Sequence, residues 1–184
     1  MLLGNAEPRN VRTLFLALVS WTLIWGLIDA ADAADITHFE HPPSAPGFDL
    51  PDISGTQWSL DDFGGQLLVV NFWATWCAPC VRELPDLAQL HKSTNGAEVT
   101  VVAIAMRQLA VDIEEFLDAR PEMRDLGFPL IPDRDGQTTA AWDVSSLPTS
   151  FILDGDGRIH YKIVGDPGWT SPELHQKLEK VAEP

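Results

Sequence analysis

The spacing of apolar and polar positions predicts an α/β fold. Residues 66–72 and 99–106 are apolar at nearly every position, which is typical of strands that are covered on both faces of a sheet. Between these runs, leucines recur at helical spacing from residue 77 to about residue 93. A strand, a helix and a strand in this order predict a parallel pair joined by a right-handed crossover.

The remaining segments predict shorter elements. Hairpins are expected where turn residues separate two extended runs, at residues 48–50 with 56–60 and at residues 150–154 with 158–164. Further elements are predicted as helices at 111–120, 137–142 and 172–181, and as an extended piece at 128–131. The expected fold class is therefore α/β, with a central mixed β-sheet flanked by helices and an added N-terminal β-hairpin.

The first 33 residues have the character of an export segment. Arg9 and Arg12 precede an uncharged, mostly apolar run at 13–28, and an A-x-A sequence follows at 31–33. This pattern predicts either a signal peptide cleaved near Ala33 or an uncleaved membrane anchor, with the arginines on the cytoplasmic side. N-terminal membrane targeting is expected in both cases.

Residues 34–46 are predicted to form an extended linker, because the prolines at 42, 43 and 46 disfavour a helix. Residues 47–184 are then the folded domain, and their number suits one domain better than two. The whole chain has 12 Lys and Arg against 27 Asp and Glu, a formal charge of −15. Such a chain repels phosphate backbones, so nucleic acid is not expected as a partner.

The two cysteines of the chain are Cys77 and Cys80, within the sequence WATWCAPC. A zinc site would need two more ligands, and the five histidines contain no pair at a spacing typical of zinc binding. A structural disulfide across so short a loop would restrict the unfolded chain little. The remaining interpretation is a reactive dithiol, with no metal and no cofactor beyond the Cys77–Cys80 disulfide.

Position assigns the two thiols different roles. Cys77 follows a buried strand and precedes a helix, where backbone N–H groups and the helix dipole lower the pKa of a thiol. Cys77 is therefore expected to attack the substrate, and Cys80, one turn later, to resolve the mixed disulfide. Pro79 suits the first helical turn, and Trp76 is expected to form a wall of the substrate site.

The sequence NFWATWCAPCVRELP, residues 71–85, resembles the active-site segment of the TlpA/ResA-like thiol-disulfide oxidoreductases in the thioredoxin superfamily. Pro85 matches the proline that kinks the active-site helix in that family. A second sequence, LPTSFILD at 147–154, resembles the family's cis-proline loop. The resemblance implies that backbone groups of Leu147 pair with the substrate and that Pro148 shapes this loop opposite the cysteines.

One difference from thioredoxin concerns the proton acceptor. Thioredoxin has a buried aspartate where this chain has Asn71, which cannot exchange a proton. Glu83 matches instead an acidic residue of the TlpA/ResA-like helix, and at three residues from Cys80 its carboxylate can lie on the cysteine side. Partial burial would raise its pKa enough to accept the Cys80 proton. The alternative is a solvated surface glutamate.

The resemblance implies a function as well as a fold. Members of the family reduce disulfides in exported proteins, for example in cytochrome c maturation or at metal-site cysteines, and a membrane thiol donor often keeps them reduced. We therefore expect a disulfide reductase of protein substrates, periplasmic or on the extracytoplasmic face of the membrane. A thiol peroxidase and a non-catalytic binding module are the alternatives.

Overall fold

The structure, a computed structural model, describes residues 34–93 and 99–182. The chain from Ala34 onward forms one compact unit. The predicted signal peptide or anchor, residues 1–33, lies outside the described residues. Within the described ranges, no helix combines the length and the apolar character that a membrane span requires.

The core of the molecule is a six-stranded mixed β-sheet with the strand order β1-β8-β7-β4-β5-β6. Strands β4, β5 and β6 are parallel, whereas β7, β8 and β1 continue the sheet in antiparallel pairs. A separate hairpin is formed by β2 and β3. The strands are β1 Asp35–His38, β2 Asp49–Pro51, β3 Gln57–Ser59, β4 Leu67–Trp73, β5 Val99–Met106, β6 Leu130–Asp133, β7 Thr149–Leu153 and β8 Ile159–Val164.

Four α-helices accompany the sheet, at α1 Ala78–Ser93, α2 Ala110–Asp118, α3 Gln137–Ala141 and α4 Pro172–Ala182. The predicted fold class is confirmed, including the N-terminal hairpin. Each predicted helix and strand of the domain is present, with its ends displaced by no more than about two residues. Such small displacements are expected, because apolar periodicity defines the middle of an element better than its ends.

Side chains of β4 alternate between two apolar clusters. Leu67, Val69 and Trp73 belong to a cluster with residues of α1, α2 and α4. Leu68, Val70 and Phe72 belong to a second cluster, which includes residues of the N-terminal hairpin region and Trp142. All seven β4 residues are buried, so the successive apolar positions of this strand reflect a sheet covered on both faces. Trp73 lies in the core and is fully buried.

The prediction that residues 34–46 form a linker is wrong. Asp35–His38 is instead the edge strand β1, paired antiparallel with β8. The pairing continues beyond the strand, since the Phe39 N–H donates to the His160 carbonyl at 2.9 Å and the Ile159 N–H to the Pro43 carbonyl at 2.9 Å. Prolines are tolerated at a sheet edge, where one side of the backbone needs no partner. The folded domain therefore begins near residue 34, not at 47.

This correction can be tested at two neighbouring positions of β1. Ile36 is half-buried and packs against the first apolar cluster, whereas Thr37 is exposed. We expect Ile36→Asp to lower the free energy of unfolding by roughly 1–2 kcal/mol through lost apolar burial, and Thr37→Asp by less than about 0.5 kcal/mol. Urea unfolding of both variants measures the difference. Equal, small effects would indicate a linker.

Candidate active site

The two cysteines lie where β4 gives way to α1. Cys77 immediately precedes the helix, and its N–H donates to the Ala74 carbonyl at 3.1 Å. Cys77 and Cys80 form a disulfide with a Cα–Cα distance of 5.3 Å, and the Cys80 N–H points at Cys77 Sγ at 3.3 Å. Cys77 keeps 6% of its surface exposed, whereas Cys80 is fully buried. Of the two cysteines, Cys77 is thus the one with surface left for a partner to approach.

The loop before β7 lies beside the cysteines. The Leu147–Pro148 peptide bond is cis, as the resemblance implies. Thr149 pairs with Phe72 across the sheet, so Pro148 is level with the end of β4, where the cysteine loop begins. Pro148 is buried and Leu147 is half-buried. Their roles in substrate binding stay predictions.

The two helix prolines have the predicted positions. Pro79 is the second residue of α1, and Pro85 lies inside the helix. Because proline lacks an N–H, Pro85 leaves the carbonyl four residues earlier without its helical hydrogen bond. The shaping of α1 by these prolines remains a prediction.

Exposed apolar residues occur in the cysteine loop and around the start of α2. Trp76 is 68% exposed, and Leu109 and Val111, around the start of α2, are 44% and 49% exposed. The Thr75 N–H donates to Gln108 Oε1 at 2.8 Å, and Gln108 Nε2 donates to Thr75 Oγ1 at 2.6 Å. These bonds tie the start of α2 to the cysteine loop. We call Trp76, Leu109 and Val111 the apolar rim.

Glu83 is fully buried, so the alternative of a solvated surface glutamate is wrong. Each carboxylate oxygen accepts one hydrogen bond: Asn71 Nδ2 donates to Oε1 at 2.7 Å, and Trp169 Nε1 donates to Oε2 at 3.0 Å. Glu83 and Cys80 are both buried and are three residues apart in α1. This spacing puts them on the same side of the helix.

Burial raises the pKa of Glu83 from the ordinary 4.5 to about 7, because the charged form loses its hydration. The hydrogen bonds from Trp169 and Asn71 lower the pKa, whereas the negative charges of Asp166 and Asp86 raise it further. A carboxyl group with such a pKa exchanges protons near neutral pH, which suits a group that takes a proton from a thiol.

Two polar contacts of Glu83 were not found from the sequence. The sequence marks Asn71 only as a residue that cannot exchange a proton, yet its Nδ2 donates to both Glu83 Oε1 and Ser150 Oγ, the latter at 2.9 Å. Trp169 has one signal in the sequence: it is a large aromatic residue in a loop rich in glycine and proline, whereas exposed loops favour small polar residues.

Within the described residues, no cluster of three or more His, Cys, Asp or Glu side chains could hold a metal ion. The disulfide and Glu83, with its two hydrogen-bond donors, are described groups at this end of the sheet that can carry redox and proton chemistry.

Comparisons with known proteins agree with this geometry. A model of the AhpC/TSA family matches residues 43–162. The thiol-disulfide oxidoreductase ResA of Bacillus cereus is 30% identical over 163 residues, which cover 89% of this chain and 88% of that protein. This chain belongs to the ResA-like thiol-disulfide oxidoreductases of the AhpC/TSA family.

Other ResA-like proteins extend the comparison. ResA of Geobacillus thermodenitrificans is 33% identical over 138 residues, or 75% of this chain and 76% of that protein. A crystal structure of a thiol:disulfide interchange protein from Chlorobium tepidum superposes with a TM-score of 0.64 at 25% identity, covering 78% of this chain and 98% of the other. The predicted thioredoxin-like fold and thiol-disulfide oxidoreductase activity are thereby confirmed.

The raised pKa of Glu83 makes stability depend on pH. The folded-state pKa, about 7, lies above the ordinary value of 4.5, so this group stabilises the fold fully below pH 4.5. That contribution is lost as the pH rises to 7, and it is on the order of 3 kcal/mol. We expect that the Glu83→Gln variant does not lose this stability between pH 4.5 and 7, because glutamine does not titrate.

Urea unfolding of the oxidised protein and of Glu83→Gln, from pH 4 to pH 8, measures the effect. The difference in free energy of unfolding between the two proteins should change with pH between 4.5 and 7 and be constant above. Parallel curves for the two proteins would show that Glu83 does not titrate in this range.

Proposed function

We propose that this ResA-like protein reduces disulfides in exported protein substrates. Cys77 is the nucleophile, Cys80 the resolving thiol and Glu83 the proton acceptor for Cys80. The observation that carries the proposal is the arrangement along α1: the cysteine that keeps some exposure lies at the helix N-terminus, and Cys80 and Glu83 follow it in the helix, both fully buried. No metal or further cofactor takes part in this chemistry.

The first half of the reaction begins with the reduced protein. The Cys77 thiolate attacks one sulfur of the client disulfide, the client S–S bond breaks, and the other client sulfur leaves as a thiolate. A mixed disulfide now joins Cys77 to the client. The N-terminus of α1 stabilises the attacking thiolate through its unpaired N–H groups and its dipole.

The second half releases the client. The Cys80 thiol gives its proton to the Glu83 carboxylate, and the resulting thiolate attacks Cys77 Sγ. The bond between Cys77 and the client breaks, and the client leaves with both of its sulfurs reduced. Two electrons have passed to the client, and the Cys77–Cys80 disulfide remains. A second dithiol protein must then reduce this disulfide before the next turnover.

The client-binding surface has two parts in this proposal. Backbone groups of Leu147, before Pro148, pair with an extended client segment beside the mixed disulfide. The apolar rim contacts apolar residues next to the client cysteine, and the exposure of Trp76 supports this role. The family resemblance suggests clients such as apocytochrome c or proteins with copper-site cysteines.

The location follows from the N-terminal sequence. A signal peptide or anchor at residues 1–33 would deliver the domain to the periplasm or to the extracytoplasmic face of the membrane. A membrane thiol protein is then the natural donor of electrons for the Cys77–Cys80 disulfide. The basic and apolar composition of the first 33 residues supports this part of the proposal.

The roles of the two cysteines can be tested by trapping. We expect Cys80→Ser to accumulate covalent complexes with client proteins, because the attacking sulfur is present and the resolving sulfur is absent. Cys77→Ser should accumulate few, since the remaining thiol is buried. Non-reducing gels with antibody detection measure the complexes, and the double Cys→Ser variant is the control. Equal trapping by both single variants would contradict the assignment.

The direction of electron flow can be tested through the reduction potential. A potential near that of thioredoxin, about −270 mV, would support a reductase, whereas one near that of the oxidant DsbA, about −120 mV, would support an oxidase. We expect the lower value from equilibration with dithiothreitol or glutathione buffers. Rapid reduction of insulin disulfides should accompany it. Fast peroxide consumption would favour a thiol peroxidase, and tight metal binding without reductase activity would favour a binding module.

A further inference from the structure

The loop between β8 and α4 reaches from the proline loop to the buried carboxyl group. At its start, the Gly165 N–H donates to the Pro148 carbonyl at 2.9 Å. Asp166 Oδ1 accepts the Gly168 N–H at 2.8 Å, which closes a tight turn. Trp169 follows and is fully buried. The loop therefore brings a fixed indole group beneath the active site.

The two donors to Glu83 differ in what they can do. An indole N–H can only donate, so Trp169 always favours a negative charge on the oxygen that it contacts. The amide of Asn71 can donate or accept, and its Oδ1 has no hydrogen-bond partner among the described residues. A rotation of this amide would let Asn71 accept a hydrogen bond from protonated Glu83, so Asn71 serves both protonation states.

We propose that Trp169 is a positioning residue for proton transfer from Cys80. Its indole N–H holds one oxygen of the Glu83 carboxylate and keeps this carboxyl group able to ionise at neutral pH. The inference rests on the proposed function, in which Glu83 accepts the Cys80 proton. The inference adds to the site a residue that is distant from the cysteines in sequence. Its indole N–H donates to Glu83 and not to either cysteine.

The charges around Glu83 make the hydrogen bond from Trp169 important. Asp86, in α1, and Asp166, in the β8–α4 loop, both disfavour a further negative charge. From the two neighbouring strands, neutral groups take part: Asn71 of β4 donates to Glu83, and Ser150 of β7 accepts from the same Asn71 nitrogen. The loop thus carries two opposing influences on the pKa of Glu83, since Trp169 lowers it and Asp166 raises it.

The direct test is the titration of the Glu83 carboxyl carbon by NMR, assigned through its loss in Glu83→Gln. Trp169→Phe removes the indole N–H and keeps an aromatic ring, and it should raise the pKa of Glu83 by about one to two units. Asp166→Asn should lower the pKa by less than one unit, while its amide oxygen still accepts the Gly168 N–H.

A matched control is available in Trp142→Phe. Trp142 is also buried, belongs to the other apolar cluster, and has an Nε1 without a hydrogen-bond partner in the described part of the chain. This substitution removes the same atoms from a core tryptophan and should leave the pKa of Glu83 unchanged. An equal shift in Trp142→Phe and Trp169→Phe would overturn the inference, because it would reflect general loosening of the core.

A measurement without substitution guards against misfolding of Trp169→Phe. In the unsubstituted protein, the indole N–H resonance of Trp169 should move with pH at the same midpoint as the Glu83 carboxyl carbon. A resonance that does not move through this titration would overturn the inference, since the hydrogen bond must change when its acceptor gains a proton.

The kinetic consequence is a shifted pH profile. Stopped-flow release of a preformed mixed disulfide should be roughly tenfold slower at pH 7 in Trp169→Phe, because fewer Glu83 carboxyl groups are ionised. The rate should recover as the pH rises, which a purely structural defect would not produce. If the pH profile of the rate is unchanged in Trp169→Phe but the rate is slower in Glu83→Gln, only the role of Trp169 is overturned. Unchanged profiles in both variants would overturn the proton role of Glu83 itself.

Discussion

The complete burial of β4 is the constraint on which the active site depends. This strand is hydrogen-bonded to β5 on one side and β7 on the other, and apolar clusters cover both faces. A polar side chain in such a strand must find its partners inside the protein. The amide nitrogen of Asn71 finds them in Glu83 and Ser150, so the strand that presents the cysteine loop also fixes the carboxyl group behind it.

Burial of Glu83 illustrates a compromise between stability and chemistry. An apolar residue at this position would remove the penalty of placing a carboxyl group away from water. The same penalty moves the proton affinity of Glu83 towards that of a group useful at neutral pH. Two donors, one on each oxygen, prevent the desolvation from eliminating the charged form altogether. The fold therefore sustains a group that is poor for packing and suited to proton exchange.

Local patterns in the sequence were sufficient to predict much of the fold and the position of the dithiol. Successive apolar residues indicated β4 and β5, helical spacing indicated α1, and the position of the two cysteines placed the dithiol between β4 and α1. Two features could not be read in this way. The contact between Glu83 and Trp169 joins residues 86 positions apart, and β1 is stabilised by pairing with β8, not by its own composition. Such contacts leave no periodic signal.

The same scarcity of cysteine that identified the active site also simplifies folding. With two cysteines in the chain, both in the Cys77–Cys80 disulfide, only one intramolecular pairing exists, whereas a chain with four has three. Oxidation during folding cannot therefore trap this protein in a scrambled isomer. A thiol-disulfide oxidoreductase with this composition has no second disulfide that could form incorrectly within the chain.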